Sequence, residues 1–584
     1  MHVARNRRTY VARSGERRVY ESVLVRRTYR DGGKVKHETL ANLSALPDEA
    51  VAAVEATLRG QRLVPATDAV TIAASVPHGH VAAVHAMAVK LGLPGLLGPA
   101  CRGRDLALAL IVSRVVAPAS KLATLTWWAD TTLGADLGAC STDEIYAAMD
   151  WLAGRQDQIE KRLAARHLGP EANPARMGLF DLSSSWVEGT RCPLAARGYS
   201  RDGKKGRLQI EYGLLTDPAG RPVAVRVFPG NTGDPAAFTE IVQVLRGKFG
   251  LAKMVMVGDR GMITSARIEA LNQREDGTAR PDSYGWITAL RAPAIKKLMA
   301  EDGPLQMSLS GQQNLAEITS PDYPGERLVA CRNPALAADR ARTRGELLAA
   351  TEKLLAPLIA RVAAGRLQDA GAIGVAVGKV ISKYKTGKHF DITITDTTLA
   401  VTRNQAQIDA EAALDGFYVL RTPVPASQLD ASRVVTAYKN LKYVERDFRS
   451  IKADDLDLRP VFHRLEERVK AHVLICMLGC YLTWHLRRAW APLTFTDEDP
   501  PPPSDPVLPA TRSARAQAKA SYQHDEYGRP YRSFRGLLEH LGTLTRNQVR
   551  FAGTAATVPM LAEPTSAQRE AFDLIGAPIP LTMK

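Results

Sequence analysis

The sequence predicts an α/β protein, and three observations support that prediction. Strand-like apolar segments alternate with helical segments between residues 177 and 290, in the order β-β-β-α-β-α-β. An acidic residue lies on the first of these strands, and another follows the fourth. The chain of 584 residues is longer than one hydrophobic core usually organises, so further domains are expected around this core.

The core strands are short and apolar, and turn-forming residues separate them. This order of elements is that of the ribonuclease-H-like fold, also called retroviral-integrase-like, in which the first and fourth strands are neighbours at the centre of the sheet. The predicted strands are Met177–Leu182, Leu208–Leu215, Val223–Phe228, Met254–Val257 and Tyr284–Leu290, and the predicted helices are Pro235–Phe249 and Thr264–Leu271.

Two aspartates are expected to meet at the centre of this sheet. Asp181 lies on the first strand, and Asp259 follows the fourth strand after Gly258. Carboxylates held close together repel each other, and a bound divalent cation relieves that repulsion. Oxygen ligands suit Mg²⁺ or Mn²⁺ better than Zn²⁺. The alternative is that each aspartate is only a turn residue or a helix cap, since Asp commonly has that role at the end of a strand.

The regions before the core are first basic and then helical. Residues 1–62 are predicted to form a basic β-hairpin region, because β-forming segments flank a Gly-Gly turn. Residues 1–37 carry a net charge of +8, half of the chain's net +16, and this excess favours a polyanionic partner. Residues 63–172 are rich in Ala and Leu at helical spacing, which predicts a helical domain.

The core is predicted to be interrupted and then followed by a tail. Its first part covers residues 173–292 and its second part residues 423–490, with an insertion domain over residues 293–422. Residues 491–584 are predicted to be a Pro-rich linker and a basic C-terminal tail, which is partly helical over residues 511–550. The longest apolar stretch, Val473–Trp484, is too short to span a bilayer and is interpreted as a buried helix, so no membrane is expected.

A predicted helix over Ala437–Ile451 supplies a third acid. At about 100° per residue it has an apolar face and a basic face, with Glu445 at the seam between them. Tyr438 and Lys452 stand seven residues to either side of Glu445, on nearly the same line. An ordinary amphipathic helix, in which Glu445 pairs with Arg449, explains the same pattern. The apolar face holds Leu441, Val444, Phe448 and Ile451, and the basic face holds Lys439, Lys442, Arg446 and Arg449.

Tyr438, Glu445 and Lys452 resemble the Y-x2-R-x3-E-x6-K signature of bacterial insertion-sequence DDE transposases, the YREK class of the insertion sequence four / sixteen-thirty-four type. The resemblance covers about residues 1–490. The signature arginine falls on Leu441, with Lys442 beside it. Further motifs that are similar to that group are Phe180-Asp181, Gly230-Asn231-Thr232-Gly233-Asp234 and Val257-Gly258-Asp259-Arg260-Gly261-Met262.

The resemblance implies metal-assisted phosphoryl transfer at DNA phosphodiesters, with two Mg²⁺ or Mn²⁺ ions. Asp181, Asp259 and Glu445 would be the catalytic residues and the metal ligands. The N-terminal hairpin and the helical region would recognise DNA sequence. Tyr438, Lys452 and Arg449 are the DNA-backbone contacts that the resemblance implies. The basic residues of the same helix and of the hairpin are further predicted DNA contacts, namely Lys442 and Arg446, and Arg26, Arg27 and Arg30.

The expected function is that of a transposase which binds the terminal inverted repeats of its element, cleaves them and joins them to target DNA. Because two ends must be held together, we expect a homodimer in the DNA complex, acting in the bacterial cytoplasm on chromosomal or plasmid DNA. Two alternatives remain open. One is a metal-dependent nuclease of the same fold, and the other is a non-catalytic, domesticated DNA-binding protein.

Overall fold

The computed structural model describes residues 1–61, 63, 69–272, 284–300, 305, 314–501, 504–552 and 554–583. Residues 502 and 503 of the predicted Pro-rich linker lie outside the described residues. The chain divides into two units. The first unit comprises Met1–Val76 and Thr545–Ala562, and the second comprises Pro77–Leu544 and Glu563–Lys584.

Both units of the described chain contain strands and helices. The strands are β1 His2–Val11, β2 Arg17–Asp31, β3 Lys34–Asn42, β4 Val70–Pro77, β5 Met177–Trp186, β6 Gln209–Thr216, β7 Pro222–Pro229, β8 Val255–Val257, β9 Gly285–Ala289, β10 Leu315–Ile318, β11 Arg327–Arg332, β12 Phe390–Ile394, β13 Leu399–Arg403, β14 Phe417–Thr422, β15 Thr545–Phe551 and β16 Thr557–Leu561. The α-helices are α1 Asp48–Leu58, α2 Gly79–Lys90, α3 Leu93–Leu97, α4 Arg102–Val116, α5 Lys121–Ala129, α6 Thr132–Leu137, α7 Thr142–Ala153, α8 Gln156–Leu168, α9 Asp234–Gln243, α10 Ser265–Asn272, α11 Ala292–Leu298, α12 Pro334–Ala363, α13 Ala370–Tyr384, α14 Gln405–Ala412, α15 Ala431–Lys439, α16 Leu441–Arg449, α17 Glu466–Ala489, α18 Ala514–Tyr522, α19 Phe534–Gly542 and α20 Ser566–Ile575.

The first unit contains two antiparallel sheets. One has the order β1-β2-β3, and α1 covers one of its faces, where Val23, Val25 and Val51 share a core. The predicted β2–β3 hairpin is confirmed, with both turn glycines at positive φ. β1 is not evident from the sequence, because basic and polar residues occupy most of its alternating positions. β16, β15 and β4 form the other sheet in that order.

The second unit is built on an eight-stranded sheet with the order β10-β11-β14-β9-β8-β5-β6-β7. β5 pairs antiparallel with β6 on one side and parallel with β8 on the other. The stretch β9-β8-β5-β6-β7 therefore has the predicted order, with the first and fourth core strands adjacent. Every residue of β6 is buried, as expected for a central strand covered on both faces.

The segment after β9 divides between this sheet and a separate small core. β14 pairs antiparallel with β9, and β11 and β10 continue the sheet beyond it. In contrast, α12, α13 and the β12–β13 hairpin enclose their own apolar cluster around Leu355, Ile373 and Val377. Three strands from the predicted insertion thus belong to the central sheet.

The helices α2–α8 form in the predicted helical region, and α17 contacts α4 and α7 among them. At 24 residues, α17 is long and apolar enough to cross a membrane, which corrects the expectation that its apolar stretch is too short. The protein buries 83% of that apolar window. By position and contacts, α17 is thus a helix of the core.

The C-terminal region adds to this core rather than trailing from it. The Trp490 side chain is fully buried, and its Nε1 donates a hydrogen bond to the Ala571 carbonyl at 2.9 Å. Lys519 is only 2% exposed, and its Nζ donates to the carbonyls of Ala491 and Thr496 at 2.7 and 3.1 Å. Residues predicted as a linker and a basic tail therefore form helices with buried faces.

Candidate active site

The helix that carries the third acid is divided in two. The sequence predicts one helix over Ala437–Ile451, but α15 ends and α16 begins at Asn440, and a π-helical turn, Ser450–Asp454, follows α16. Asn is a poor residue for a helix interior, and the Asn440 side-chain amide donates a hydrogen bond to the Pro218 carbonyl at 3.1 Å. The single-helix prediction is therefore wrong at this point, although α16 keeps the predicted faces.

The faces of α16 separate Glu445 from the core. Val444 and Phe448 are buried, whereas Lys442, Glu445, Arg446 and Arg449 are exposed. Among the residues that the structure describes, Glu445 forms no ion pair with Arg449, so the simple i,i+4 pair is not present. The carboxylate of Glu445 is left free to face other groups.

Asp181 and Asp259 are placed by neighbouring strands. Asp181 lies within β5 opposite Leu214 of β6, and Asp259 lies two residues after β8. Asp259 Oδ1 accepts hydrogen bonds from the backbone N–H groups of Gly261 and Met262, at 2.8 and 2.9 Å. One oxygen of Asp259 therefore does cap a turn, as the alternative interpretation expects, and this cap also fixes the side chain.

The three acids act on one another electrostatically. Burial, together with the charges of Asp259 and Glu445, raises the pKa of Asp181 to about 7. The Leu182 N–H donates to Asp181 Oδ1 at 2.8 Å, and together with Arg201 it opposes the rise in pKa. Three carboxylates on β5, after β8 and on α16 therefore share one electrostatic environment.

These carboxylates have the donor chemistry of a magnesium or manganese site. Oxygen ligands and mutual repulsion both favour a hard divalent cation. As the side chains stand, however, no three His, Cys, Asp or Glu residues of the described chain lie at metal-ligating spacing. In chemical type, the three carboxylates fit such an ion.

Tyr438, the predicted DNA contact on α15, lies in the same environment. Burial raises the pKa of Tyr438 to about 12, and the charges of Asp259, Asp181 and Glu445 also raise it. The phenol is therefore protonated at neutral pH and available as a hydrogen-bond donor beside the acids.

Lys452 is placed differently from the sequence prediction, which puts it on one line with Glu445. It lies in the π-helical turn, is 8% exposed, and its Nζ donates to Asp202 Oδ1 at 2.7 Å. Burial lowers the pKa of Lys452, and Asp202 opposes that change. Arg459 Nη1 donates to the same Asp202 oxygen at 2.6 Å. Lys452 therefore faces the interior in this structure.

An ion-pair cluster that sequence reasoning misses lies beside Asp181. Arg201, in the loop between β5 and β6, pairs with Asp234 and, through Nη1, with Glu211 Oε1 at 3.2 Å. Burial raises the pKa of Glu211 to about 7, and Arg201 opposes the rise. A charged residue within the fully buried strand β6 is the sequence signal that could have revealed this cluster.

The other predicted DNA contacts are on exposed surfaces. Lys442 and Arg446 extend over the Tyr443 ring, at 5.1 and 5.3 Å from its centroid, and Arg446 also contacts Asp447 at 3.2 Å. On the first unit, Arg27 and Arg30 are exposed and Arg26 is half-buried.

An α/β sheet with this strand order, together with acids on its first strand, after its fourth strand and on a later helix, defines a class of enzymes that cleave and join polynucleotides. A model of the transposase DDE domain matches residues 180–482, and a model of the IS1634 family transposase N-terminal domain matches residues 8–66. The chain belongs to the DDE transposases, of the IS1634 type, and is a DNA transposase.

Comparison with individual proteins adds less. No curated protein sequence matches the chain. A solved structure, the cryo-EM structure of the piggyBac transposase synaptic complex with hairpin DNA, is similar at 8% identity, with 75% of this chain and 70% of that chain covered. The TM-score is 0.32, which is too low to support an argument about this chain.

Proposed function

We propose that this transposase binds the terminal inverted repeats of its own element, cleaves them and joins them to target DNA. Asp181, Asp259 and Glu445 are the proposed catalytic residues and would hold Mg²⁺ or Mn²⁺, and the proposed number of ions is two. The observation that supports this most directly is the placement of the three acids: β5, which carries Asp181, pairs parallel with β8, which precedes Asp259, and α16, which carries Glu445, packs against β5. Such ions, when bound, activate the attacking oxygen and stabilise the leaving oxygen of a phosphodiester.

The residues of the chain have distinct proposed roles around these acids. The protonated Tyr438 hydroxyl would donate a hydrogen bond to a DNA phosphate next to the reacting group. Lys442, Arg446 and Arg449, exposed on α16, would bind the backbone and so position the DNA without reading its sequence. Lys452 would act through Asp202, by holding the β5–β6 loop in place.

The decisive experiment replaces each acid by its amide in the full chain. Asp181→Asn, Asp259→Asn and Glu445→Gln should each abolish Mg²⁺-dependent end cleavage and strand transfer while duplex binding persists. Asp454→Asn, an exposed residue of the adjoining π-helical turn, is the matched control and should remain active. Three amide variants that all cleave and join DNA would exclude the proposed site.

A second readout does not depend on activity. Mg²⁺ or Mn²⁺ should raise the thermal unfolding temperature of the wild-type chain, because the ion binds the folded state and relieves repulsion among the carboxylates. The rise should be lost in Asp181→Asn and kept in Asp454→Asn. Products in which donor ends are covalently joined to target DNA separate transposition from simple nuclease cleavage.

The proposed assembly is a homodimer on DNA, working in the bacterial cytoplasm on chromosomal or plasmid DNA. Two element ends must be brought together for joining, and a pair of chains provides one catalytic site for each end. Light scattering after size-exclusion chromatography, with and without duplexes carrying the terminal repeat, tests this. A complex with one chain and two ends would contradict it.

A further inference from the structure

The N-terminal sheet ends in a two-stranded ribbon. β1 pairs with residues 17–26 of β2, whereas β3 pairs only with residues 24–31. Residues 7–11 and 17–21, here called the distal ribbon, therefore have no third strand beside them. Every residue of the distal ribbon is exposed.

The strand register assigns each side chain of the ribbon to one of two faces. Residues directly opposite in an antiparallel pair point to the same face, and so do alternate residues along a strand. Val23 and Val25, which contact α1, share their face with Arg7 and Arg17, so this is the α1 face. The open face carries two cross-strand pairs of Arg with Tyr: Arg8 opposite Tyr20, and Tyr10 opposite Arg18.

The two faces differ in charge composition. The three carboxylates of the strands, Glu21, Asp31 and Glu38, all lie on the α1 face, opposite Arg7, Lys34 and Arg27. On the same face Lys36 pairs with Asp31 at 2.5 Å, and Arg5 contacts Asp48 of α1 at 3.5 Å. Basic side chains on the α1 face are thus largely matched by acids.

The open face carries arginines without strand carboxylates. Arg26 and Arg30 continue the line of Arg8 and Arg18 past the bulge between Val25 and Arg26. The turn residue Glu16 forms an exposed ion pair with Arg18, at 3.0 Å. Tyr10 and Tyr20 are each 58% exposed, although large aromatic side chains are normally covered.

We propose that the open face of the distal ribbon, formed by Arg8, Tyr10, Arg18 and Tyr20, is a binding surface for the backbone of double-stranded DNA. The proposal rests on the proposed function, because it names the surface by which a transposase end complex would hold its duplex. A two-stranded ribbon fits the major groove of B-DNA, which is about 12 Å wide. Arginine and tyrosine side chains both donate hydrogen bonds to phosphate oxygens, so the open face can bind the phosphates at the edges of the groove.

The surface discriminates between duplex types by shape. The major groove of A-form RNA is deep and narrow, and a ribbon with side chains on both faces does not enter it. The proposal therefore commits to DNA, and duplex RNA serves as the comparison.

The test measures duplex binding by the full chain with fluorescence anisotropy over a series of salt concentrations. The probes are a duplex with the terminal repeat, an unrelated DNA duplex and a duplex RNA of the same length. The double variant Arg8→Ala/Arg18→Ala should weaken both DNA complexes alike and reduce the slope of log affinity against log salt by about 2, roughly 1 for each lost phosphate contact. Tyr10→Phe/Tyr20→Phe should weaken binding without changing that slope, since no charge is removed.

The matched control lies on the same two strands. Arg7→Ala/Arg17→Ala removes the same charge from the α1 face and should leave the slope unchanged. Equal losses in the two arginine variants, or tighter binding of duplex RNA than of DNA, would overturn the assignment. This experiment measures DNA affinity without catalysis, so its result is independent of the acid-to-amide variants. If the proposed active site is wrong, the affinities still test the ribbon. If the ribbon assignment is wrong, the acid-to-amide variants still test cleavage.

Discussion

Lys452 Nζ donates to Asp202 Oδ1 at 2.7 Å, and this pair joins the π-helical turn after α16 to the loop between β5 and β6. The side chains of Lys452 and Asp202 are 10% and 1% exposed. Arg459 donates to the same oxygen, so one buried carboxylate compensates two cations. The same loop carries Arg201, the neighbour of Asp181. The pair therefore ties the turn after α16 to the loop that carries Arg201, whose charge lowers the pKa of Asp181.

We predict that Asp202→Ala destabilises the protein. Removing the carboxylate leaves the buried Lys452 ammonium without its ion-pair partner, and breaking a buried pair costs about 3–5 kcal/mol. Arg459, whose side chain is 26% exposed, loses the same partner at a smaller cost. The measurement is the midpoint of urea unfolding of the full chain. The control is Asp31→Asn, whose ion pair with Lys36 is exposed and should contribute little. A midpoint for Asp202→Ala equal to that of the control would show that the pair is dispensable.

We predict that Asp447→Asn stabilises the protein at pH 8 and not at pH 4. Burial raises the pKa of Asp447 to about 7, and Oδ2 is buried without a hydrogen-bond partner. A pKa above its unfolded value of 3.8 means that the folded state binds the proton more tightly. Stability from this group is present below about pH 4 and is lost as the pH rises through about 7. The amide cannot ionise, so it avoids that loss.

The expected gain for Asp447→Asn is roughly 2–4 kcal/mol at pH 8 and close to zero at pH 4. Urea midpoints at the two pH values measure it. Other titrating groups, such as Glu211, are common to both proteins and cancel in the difference. Asp454→Asn, on the exposed side of the same segment, should show no pH-dependent gain. An equal effect of Asp447→Asn at both pH values would contradict the assignment.

The sequence is sufficient to predict the order of the five core strands, but not the three strands that the predicted insertion adds to the sheet. Short apolar strands and the turns between them are local signals, and the neighbouring positions of the strands that place Asp181 and Asp259 follow from the predicted order. The break at Asn440 is not visible, because the apolar spacing continues across it. The pairing of Arg201 with Asp234 is not visible in the sequence either, because it depends on a contact between residues 33 positions apart.

The burial of the C-terminal helices is missed for a related reason. Their buried residues, such as Ala516 and Phe534, lie among many basic residues. Burial of Lys519 depends on two carbonyls and on Glu498, which is a tertiary arrangement that composition cannot reveal.

We predict that Gly230→Ala disrupts the fold near Arg201, whereas Gly233→Ala of the same motif is tolerated. A Cβ at Gly230 would lie 1.9 Å from the Gln209 carbonyl oxygen and 2.6 Å from that of Ala196, so backbone must move. Overpacking of this kind costs about 1–3 kcal/mol or more. A Cβ at Gly233 would meet only Pro235 Cδ, at 3.8 Å.

Two small effects of Gly233→Ala on the free energy of unfolding oppose each other. Gly is preferred to Ala at the helix N-cap, whereas Ala lowers the entropy of the unfolded state. Urea midpoints of the two variants measure the contrast. Similar midpoints would show that the close approach at Gly230 relaxes without cost.

The last prediction is that a chain ending at residue 490 does not remain soluble, although its catalytic acids are all present. In the second unit the removed region covers α2 and the end of α17: Trp490 loses its bond to Ala571, and Lys90 loses its bond to the Ile575 carbonyl at 2.7 Å. Phe534 and Phe572, both buried, leave apolar surface behind them, and large exposed apolar patches promote association.

The control keeps these contacts but breaks the chain, by means of a protease site inserted after Pro500. The cut protein should stay in one peak on size-exclusion chromatography and retain its unfolding temperature, because the tail is held by its own core. Dissociation of the cut tail, together with a soluble chain ending at 490, would mean that the region is an appendage.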